Sequence, residues 1–231
     1  MPTVDAGKYG YIVGTVDGSW ATARTSGATA YNQPPTNFFP TQVRVSTGRG
    51  GTSYWVRRFF AAFDVSAYAS GYTISDLTFN FRSDDVGAGS VGGIVVKSTA
   101  QGEADTDLST SDFYSDVDFA TAYSSNFNWP DSDSDIEVDL NSTAVSQFSN
   151  SYLRIAVVEY EYDYENTNPG SIAFNNYGYM NAQVSTSGFT PYISFTAVAS
   201  GYGNDIVGVS SSNVGEVINV ASANIGKVIG V

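Results

Sequence analysis

Short hydrophobic runs separated by turn-forming residues recur along most of the chain. The runs are rich in Val, Ile, Phe and Tyr, and clusters of Gly, Pro, Asn and Ser interrupt them. This pattern is typical of many short β-strands joined by turns. We predict strands at residues 9–16, 42–47, 53–64, 73–82, 91–98, 135–140, 153–164, 171–180 and 190–198.

Hydrophobic and polar residues alternate most regularly in residues 73–82. Here Leu77, Phe79 and Phe81 alternate with polar side chains, so one face of the strand is buried and the other is solvated. In this and the other predicted strands, the apolar residues on the inward-facing side should form the core. The predicted core residues are Phe63, Leu77, Phe79, Ile155 and Ile193. The single helix that we expect is short, over residues 143–148, with Asn141 or Ser142 as its N-cap.

The composition changes at residue 201, where the aromatic strands end and a repeat begins. The sequence NVGEVINV at 213–220 recurs as NIGKVIGV at 224–231, eleven residues later, and IVGV at 206–209 is a shorter first copy. A fixed period indicates a separate unit, so we expect one domain over residues 1–200 and a C-terminal segment over residues 201–231.

The repeats would expose an apolar strip on a lone chain. Eleven residues equal three helical turns, which favours a helix, whereas β-branched residues and repeated Gly favour short strands. We prefer strands, and expect the strip to be covered by identical copies, with a trimer favoured, or by another protein. The predicted assembly residues are Val214, Val217, Ile218, Ile225, Val228 and Ile229.

The absence of two residue types excludes several classes of enzyme and metal site. The chain has no Cys and no His, which removes disulfides, thiol nucleophiles, the most common general base and most zinc sites. We therefore expect no enzymatic activity.

Two arginines, Arg57 and Arg58, are neighbours on one predicted strand. Their side chains point in opposite directions, so they do not form one anion site, and we expect one of them to pair with an acid such as Asp64.

The net charge disfavours some partners. Twenty-three acidic and ten basic residues give a formal net charge of −13. This charge repels phosphate backbones, so we expect neither nucleic acid nor membrane as a partner. Residues 1–8 lack the basic and apolar regions of a signal peptide, and we expect no signal-dependent secretion.

Two blocks of sequence resemble jelly-roll modules. YWVRRFFAAFDVS at 54–66, followed by GYTISDLTF at 71–79, is similar to the signature R-x-x-x-x-F-D-hydrophobic-S … G-x-x-I-x-x-A-x-L, with Asp76 where that signature has a small residue. LRIAV at 153–157 and TPYISFT at 190–196 resemble the later strands of the same modules. Such modules occur in carbohydrate-binding domains and in virion proteins of tailed phages. The resemblance implies an all-β jelly-roll sandwich.

The C-terminal repeat resembles the short N-I-x-K-V-N-G-V repeats that end many bacteriophage structural proteins. This resemblance implies a virion protein that is assembled in the host cytoplasm and exposed on the particle as a fibre, decoration or appendage component. Its partners would be identical copies, other virion proteins and host surface glycans. The alternative is a carbohydrate-binding module of an extracellular polysaccharide-active protein. A depolymerase is the third and weakest reading, because no carboxylate pair is distinguished from the many others.

Two acidic clusters are candidate Ca²⁺ sites, and calcium is the one cofactor that we consider. Asp131, Asp133 and Asp135 have a spacing that can present oxygen ligands, but the Gly and Glu of an EF-hand loop are absent. The other interpretation is a solvated loop that leads into a strand.

A run of alternating acids and tyrosines spans residues 159–165. On a strand, Glu159, Glu161 and Asp163 would share one face as a cation site, and the tyrosines would share the other. The predicted glycan-stacking residues are Tyr160, Tyr162 and Tyr164. The alternative, which we prefer, is that the tyrosines pack in the sandwich and the acids lie in water.

Overall fold

The architecture was described from a computed structural model. The structure describes residues 1–14, 18–32, 39–83, 85–86, 92–101, 107–128, 134–170, 179–182, 190–200, 216–217 and 220–221. The strands are β1 (Thr3–Asp5), β2 (Lys8–Gly14), β3 (Gly27–Asn32), β4 (Phe39–Gly48), β5 (Gly51–Asp64), β6 (Tyr72–Ser83), β7 (Asp85–Val86), β8 (Gly93–Ser98), β9 (Val117–Ala122), β10 (Ser134–Asp139), β11 (Tyr152–Glu159), β12 (Tyr179–Ala182), β13 (Tyr192–Ala199), β14 (Glu216–Val217) and β15 (Val220–Ala221). The α-helices are α1 (Trp20–Thr25), α2 (Asp112–Ser115) and α3 (Ser142–Val145).

The two main antiparallel sheets form a β-sandwich with jelly-roll connectivity. The four-stranded sheet has the order β1-β13-β6-β10, and the nine-stranded sheet contains the row β5-β11-β8-β9. These two rows contain eight strands, which can be renumbered 1 to 8 in chain order: β1, β5, β6, β8, β9, β10, β11 and β13. The rows then read 1-8-3-6 and 2-7-4-5, which is the strand order of a jelly roll. The prediction of an all-β fold is confirmed. Strands β2, β3, β4, β7 and β12 extend the larger sheet.

The space between the sheets holds an aromatic and aliphatic core. Phe79 lies at its centre, with its ring centroid 6.3 Å from that of Phe59, 6.1 Å from that of Phe63 and 5.1 Å from that of Phe81. Ring pairs at such distances stabilise a core beyond the area that they bury. The five predicted core residues are all 2% exposed or less, which confirms the strand phases: Phe63, Leu77, Phe79, Ile155 and Ile193.

A second core covers the opposite face of the nine-stranded sheet. In β5 one phase, with Phe59 and Phe63, faces the first core, while the other, with Val56 and Phe60, faces the second. The second half of β5 is therefore buried on both faces, which explains why residues 59–63 are all apolar. Helices α1 and α2 contribute Trp20 and Phe113, among other side chains, to this outer layer.

The predicted short helix is confirmed, with Asn141 as its cap. The Asn141 Oδ1 accepts hydrogen bonds from the backbone N–H groups of Thr143 (3.0 Å) and Ala144 (3.2 Å). The chain then continues as a 3₁₀ helix, Ser146–Asn150. Helices α1 and α2 were not expected, because each has at most six residues, too few to show a helical period.

The strand predicted over residues 153–164 is too long. β11 ends at Glu159, and Tyr160–Tyr164 forms a single turn of π-helix. The strand predicted at 171–180 overlaps with β12 only at residues 179 and 180, because residues 171–178 lie outside the described part of the chain.

In the tail, Glu216–Val217 pairs with Val220–Ala221 as two short antiparallel strands. Among the described residues, no helix has the length and apolar character needed to cross a membrane.

Candidate functional site

The tyrosine-rich turn after β11 is organised by the side chain of Glu159. The Glu159 Oε1 accepts a hydrogen bond from the N–H of Glu161 (2.9 Å), and Oε2 accepts from the N–H groups of Tyr162 (2.7 Å) and Asp163 (3.0 Å). The first N–H groups of a helical turn have no backbone partner, so a side-chain acceptor at this place stabilises the turn. The Glu165 N–H donates to the Tyr160 carbonyl at 3.1 Å and closes the turn.

Burial changes the protonation of Glu159. The side chain is 1% exposed, and burial raises its pKa to about 7, although the three N–H donors and the charge of Asp163 act on it as well. The donors lower the pKa and the Asp163 charge raises it, so desolvation is the largest effect. Because both oxygens are engaged by the backbone and shielded from solvent, Glu159 is a capping group in this structure.

Asp163 points inward from the turn and binds two arginines. Its carboxylate accepts a bidentate pair from Arg58, with Nε to Oδ2 at 2.7 Å and Nη2 to Oδ1 at 2.6 Å. Arg24 donates its Nε to the Asp163 carbonyl at 2.8 Å, and the same Nε is 3.3 Å from Oδ1. Arg58 and Asp163 are completely buried. We call Arg24, Arg58 and Asp163 the ion-pair cluster.

The ion-pair cluster connects four elements of the second core. From β5, Arg58 also donates to the carbonyl of Phe113 in α2 and, through Nη2, to the carbonyl of Arg24 in α1 at 2.8 Å. Its guanidinium lies 4.1 Å from the centroid of the Phe113 ring and 5.0 Å from that of Phe119. A planar guanidinium can make hydrogen bonds at its edge and aromatic contacts at its face, which suits this position.

Two tyrosine rings stack on each other at the two ends of the turn. Tyr160 and Tyr164 stack with their centroids 5.7 Å apart and an interplanar angle of 18°. The charge of Glu165, and a hydrogen bond to it, raise the pKa of the Tyr160 hydroxyl. Tyr160, Tyr162 and Tyr164 are each partly buried against the second core. We call Tyr160, Tyr164 and Glu165 the tyrosine platform.

The predicted arrangement of residues 159–165 is wrong, because the turn replaces strand alternation. Glu159 and Asp163 are buried and hold other groups, while Glu161 is half-buried. No three Asp or Glu side chains gather into a potential metal site anywhere in the described ranges. The preferred packing of the tyrosines is confirmed, since Tyr160, Tyr162 and Tyr164 all lie partly buried against the second core, although they do so from a turn and not from a strand.

The other predicted site residues are placed only in part. Asp135 lies at the start of β10, with its Oδ1 3.6 Å from Nη1 of Arg82, whereas Asp131 and Asp133 lie outside the described residues. Of the assembly residues, Val217 lies in β14 and pairs with Val220. The rest lie outside the described part of the chain: Val214, Ile218, Ile225, Val228 and Ile229.

The expectation that one of the two adjacent arginines pairs with an acid is confirmed, but the acid is Asp163 and not Asp64, and the ion-pair cluster as a whole was missed from sequence. Asp64 instead accepts a hydrogen bond from the Ser66 N–H at 2.9 Å, and hydrogen bonds from Ser66 lower its pKa. One signal was present: Arg58 shares its strand phase with Val56 and Phe60, and a charged residue at a core position requires a partner. Its partner is 105 residues away, so spacing could not identify it.

Comparison with known proteins gives no assignment. No protein-family model matches the chain, and no curated protein sequence matches it either.

Proposed function

We propose that the chain is a non-enzymatic structural protein of a bacteriophage particle, exposed as a fibre, decoration or appendage component. The observation that carries the proposal is the jelly-roll strand order, which agrees with the fold implied by the sequence blocks at 54–79 and 153–196. The phage-type repeat at 206–231 supports the same function. In this proposal the sandwich is the exposed head, and the repeats attach it to identical copies or to other particle proteins.

The buried charged side chains bind other groups of the protein, which supports a structural function. The described buried Asp, Glu and Arg residues are Arg24, Arg58, Glu159 and Asp163, and each is bound to groups of the protein itself. A catalytic acid or base must reach a substrate proton, and these groups are enclosed. Their role is to hold β5, α1, α2 and the turn after β11 together.

Adhesion to neutral glycans at the tyrosine platform belongs to the same proposal. Aromatic rings can contact the apolar faces of sugar rings, and carboxylates accept hydrogen bonds from sugar hydroxyls. The platform combines two stacked rings with Glu165. The turn that carries them is anchored by the hydrogen bonds between the buried Asp163 and Arg58. A pre-formed surface of this kind loses little conformational entropy on binding. The same observation favours the second candidate, a carbohydrate-binding module.

Location in the particle is the decisive test. Antibodies raised against the purified chain should label phage particles by immunogold electron microscopy, and the chain should remain with the particles through density-gradient purification. Labelling confined to soluble protein would contradict the structural function. If soluble protein bound glycans without any particle association, the carbohydrate-binding module would be the better assignment.

Glycan adhesion has its own matched test. On an array of neutral glycans, Tyr160→Ala should weaken binding by about twofold to twelvefold, as expected for the loss of one ring contact of ~0.5–1.5 kcal/mol. Tyr72→Ala is the control, because Tyr72 is an exposed tyrosine that lies outside the platform. Equal binding by the two variants would remove the tyrosine platform from the proposal.

A further inference from the structure

The positive charge of the chain is concentrated in one stretch of sequence. Residues 18–63 contain five of the ten basic residues and no Asp or Glu, although the chain as a whole has a net charge of −13. Arg24 and Arg58 are buried in the ion-pair cluster. The other three, Arg44, Arg49 and Arg57, lie on the hairpin formed by β4 and the first half of β5. We call residues 42–57 the cationic hairpin.

The cationic hairpin carries its arginines on one face and at its tip. Arg44 is paired with Trp55, and Gln42 is paired with Arg57, so these four side chains share one face of the ladder. On this face Gln42 is buried and the other three side chains are half-buried. The Arg44 guanidinium lies over the Trp55 ring, 4.6 Å from its centroid. At the tip, Arg49 is exposed, and a Cβ built on Gly48, Gly50 or Gly51 meets no atom within 4 Å. The tip therefore projects from the described part of the protein.

The outer face of the four-stranded sheet has the opposite charge. The register places Asp5, Tyr192, Asn80 and Glu137 in one row across the four strands, and Thr3, Ser194, Thr78 and Asp139 in the next. Asp5, Asp135, Glu137 and Asp139 are exposed, and Arg82 is the basic residue beside Asp135. We call this surface the acidic face.

The middle of the acidic face is neutral and ordered by hydrogen bonds. The hydroxyls of Thr78 and Ser194 are 2.5 Å apart, and Nδ2 of Asn80 donates to Oγ of Ser194 at 3.1 Å. These bonds fix the strip between the acids of β10 and Asp5 of β1. The acidic face therefore has hydrogen-bonded polar side chains at its centre, where Asn80 is buried, and carboxylates along its borders.

We propose that the cationic hairpin of one copy docks on the acidic face of a second copy. The exposed charges are opposite in sign, with Arg49 at the tip of the hairpin and carboxylates on the acidic face. Both surfaces space their same-face side chains by two strand residues, or about 7 Å. The chain's own acidic face supplies the negative partner, so no other anion is needed. Because the two surfaces differ, the contact is head-to-tail, and it builds a ring or a row of subunits. It is separate from the contact that we expect for residues 201–231.

Charge exchange in the full chain tests this contact. Sedimentation velocity should show reversible association of the wild type at low salt, weakened as salt screens the charges. Arg49→Glu and Glu137→Arg should each raise the Kd of association at least fivefold. An equimolar mixture of the two variants should recover association, because the changed tip of one then faces the changed sheet of the other. Ser149→Asp, on an exposed residue remote from both surfaces in sequence, is the control and should behave as the wild type.

Disulfide trapping locates the contact in a chain that has no cysteine of its own. Mixed Gly50→Cys and Glu137→Cys proteins should cross-link under mild oxidation faster than mixed Gly50→Cys and Ser149→Cys proteins. Equal rates, no association of the wild type, or no recovery in the charge-exchange mixture would overturn the proposal. Loss of binding to heparin in Arg49→Glu, with self-association unchanged, would assign the hairpin to an acidic polysaccharide and also overturn it.

Discussion

The two faces of the nine-stranded sheet are buried by different means. Toward the four-stranded sheet, β5 presents Phe59 and Phe63 to a core of aromatic and aliphatic side chains. On the opposite face, the same strand presents Arg58, which is held by Asp163, Arg24 and aromatic rings. The first core gains its stability from removing apolar surface from water, whereas the second also depends on matched polar groups. The difference shows that one strand can serve both purposes through its two phases.

The largest effect is expected from breaking the ion-pair cluster. Arg58→Met should lower the free energy of unfolding by about 3–5 kcal/mol, because Asp163 would stay buried without its main cation. Urea denaturation measures this loss. Arg49→Met is the control, since Arg49 is exposed, and it should change stability by no more than about 0.5 kcal/mol. Similar values for the two variants would mean that the ion-pair cluster is not a determinant of stability.

A similar loss is expected in the first core, but by another mechanism. Phe79→Ala should cost about 3–5 kcal/mol through lost burial and the cavity that remains. Because Phe79 and Arg58 lie in different cores with no shared partner, the two losses should add to within about 0.5 kcal/mol in the double variant. A strongly non-additive result would show that the two cores are coupled through the sheet.

The pH dependence of stability should come from the second core. Glu159 has a folded-state pKa of about 7 against an ordinary 4.5, so the folded protein holds this proton more tightly than the unfolded chain. Its contribution is complete below pH 4.5 and is lost as the pH rises through 7, on the order of 3 kcal/mol in total. Denaturation at several pH values should show a flatter profile for Glu159→Gln. An unchanged profile would exclude Glu159 as the titrating group.

The smallest effect is expected at the cap of α3, beside the first core. Asn141→Ala removes an acceptor from the N–H groups of Thr143 and Ala144 and should cost about 1 kcal/mol. Thermal unfolding of this variant checks the value. Ser149→Ala, in the 3₁₀ helix that follows, is the matched control on an exposed position. A loss as large as that of Phe79→Ala would mean that the cap supports the core itself.

The first core was predictable from sequence, and the second was not. Alternation identified Leu77 and Phe79 as core residues, because a sheet packed on one face leaves a period of two. The run from Arg58 to Phe63 has no polar phase after the arginine, as expected for a strand buried on both faces. The pairing of Arg58 with Asp163 depends on the closure of the fold across 105 residues, which no local pattern encodes.

The tyrosine run shows a second limit of pattern reading. Alternating acids and tyrosines at residues 159–165 have the period of a strand, but the Glu159 carboxylate binds three consecutive N–H groups and supports a turn instead. Side-chain acceptors compete with the sheet for backbone donors at such positions. The packing of the tyrosines was therefore predicted correctly, whereas the strand and the solvated acids were predicted wrongly.

Hydrogen exchange measured by NMR tests most directly whether Glu159 fixes the turn that presents the tyrosine platform. In the wild type, the amides of Glu161, Tyr162 and Asp163 should be protected to a degree similar to those inside β11, because each donates to a buried carboxylate. In Glu159→Ala these three amides should lose protection, while the amide of Val157 keeps it. Free exchange of the three amides in the wild type, or unchanged protection in Glu159→Ala, would contradict the account.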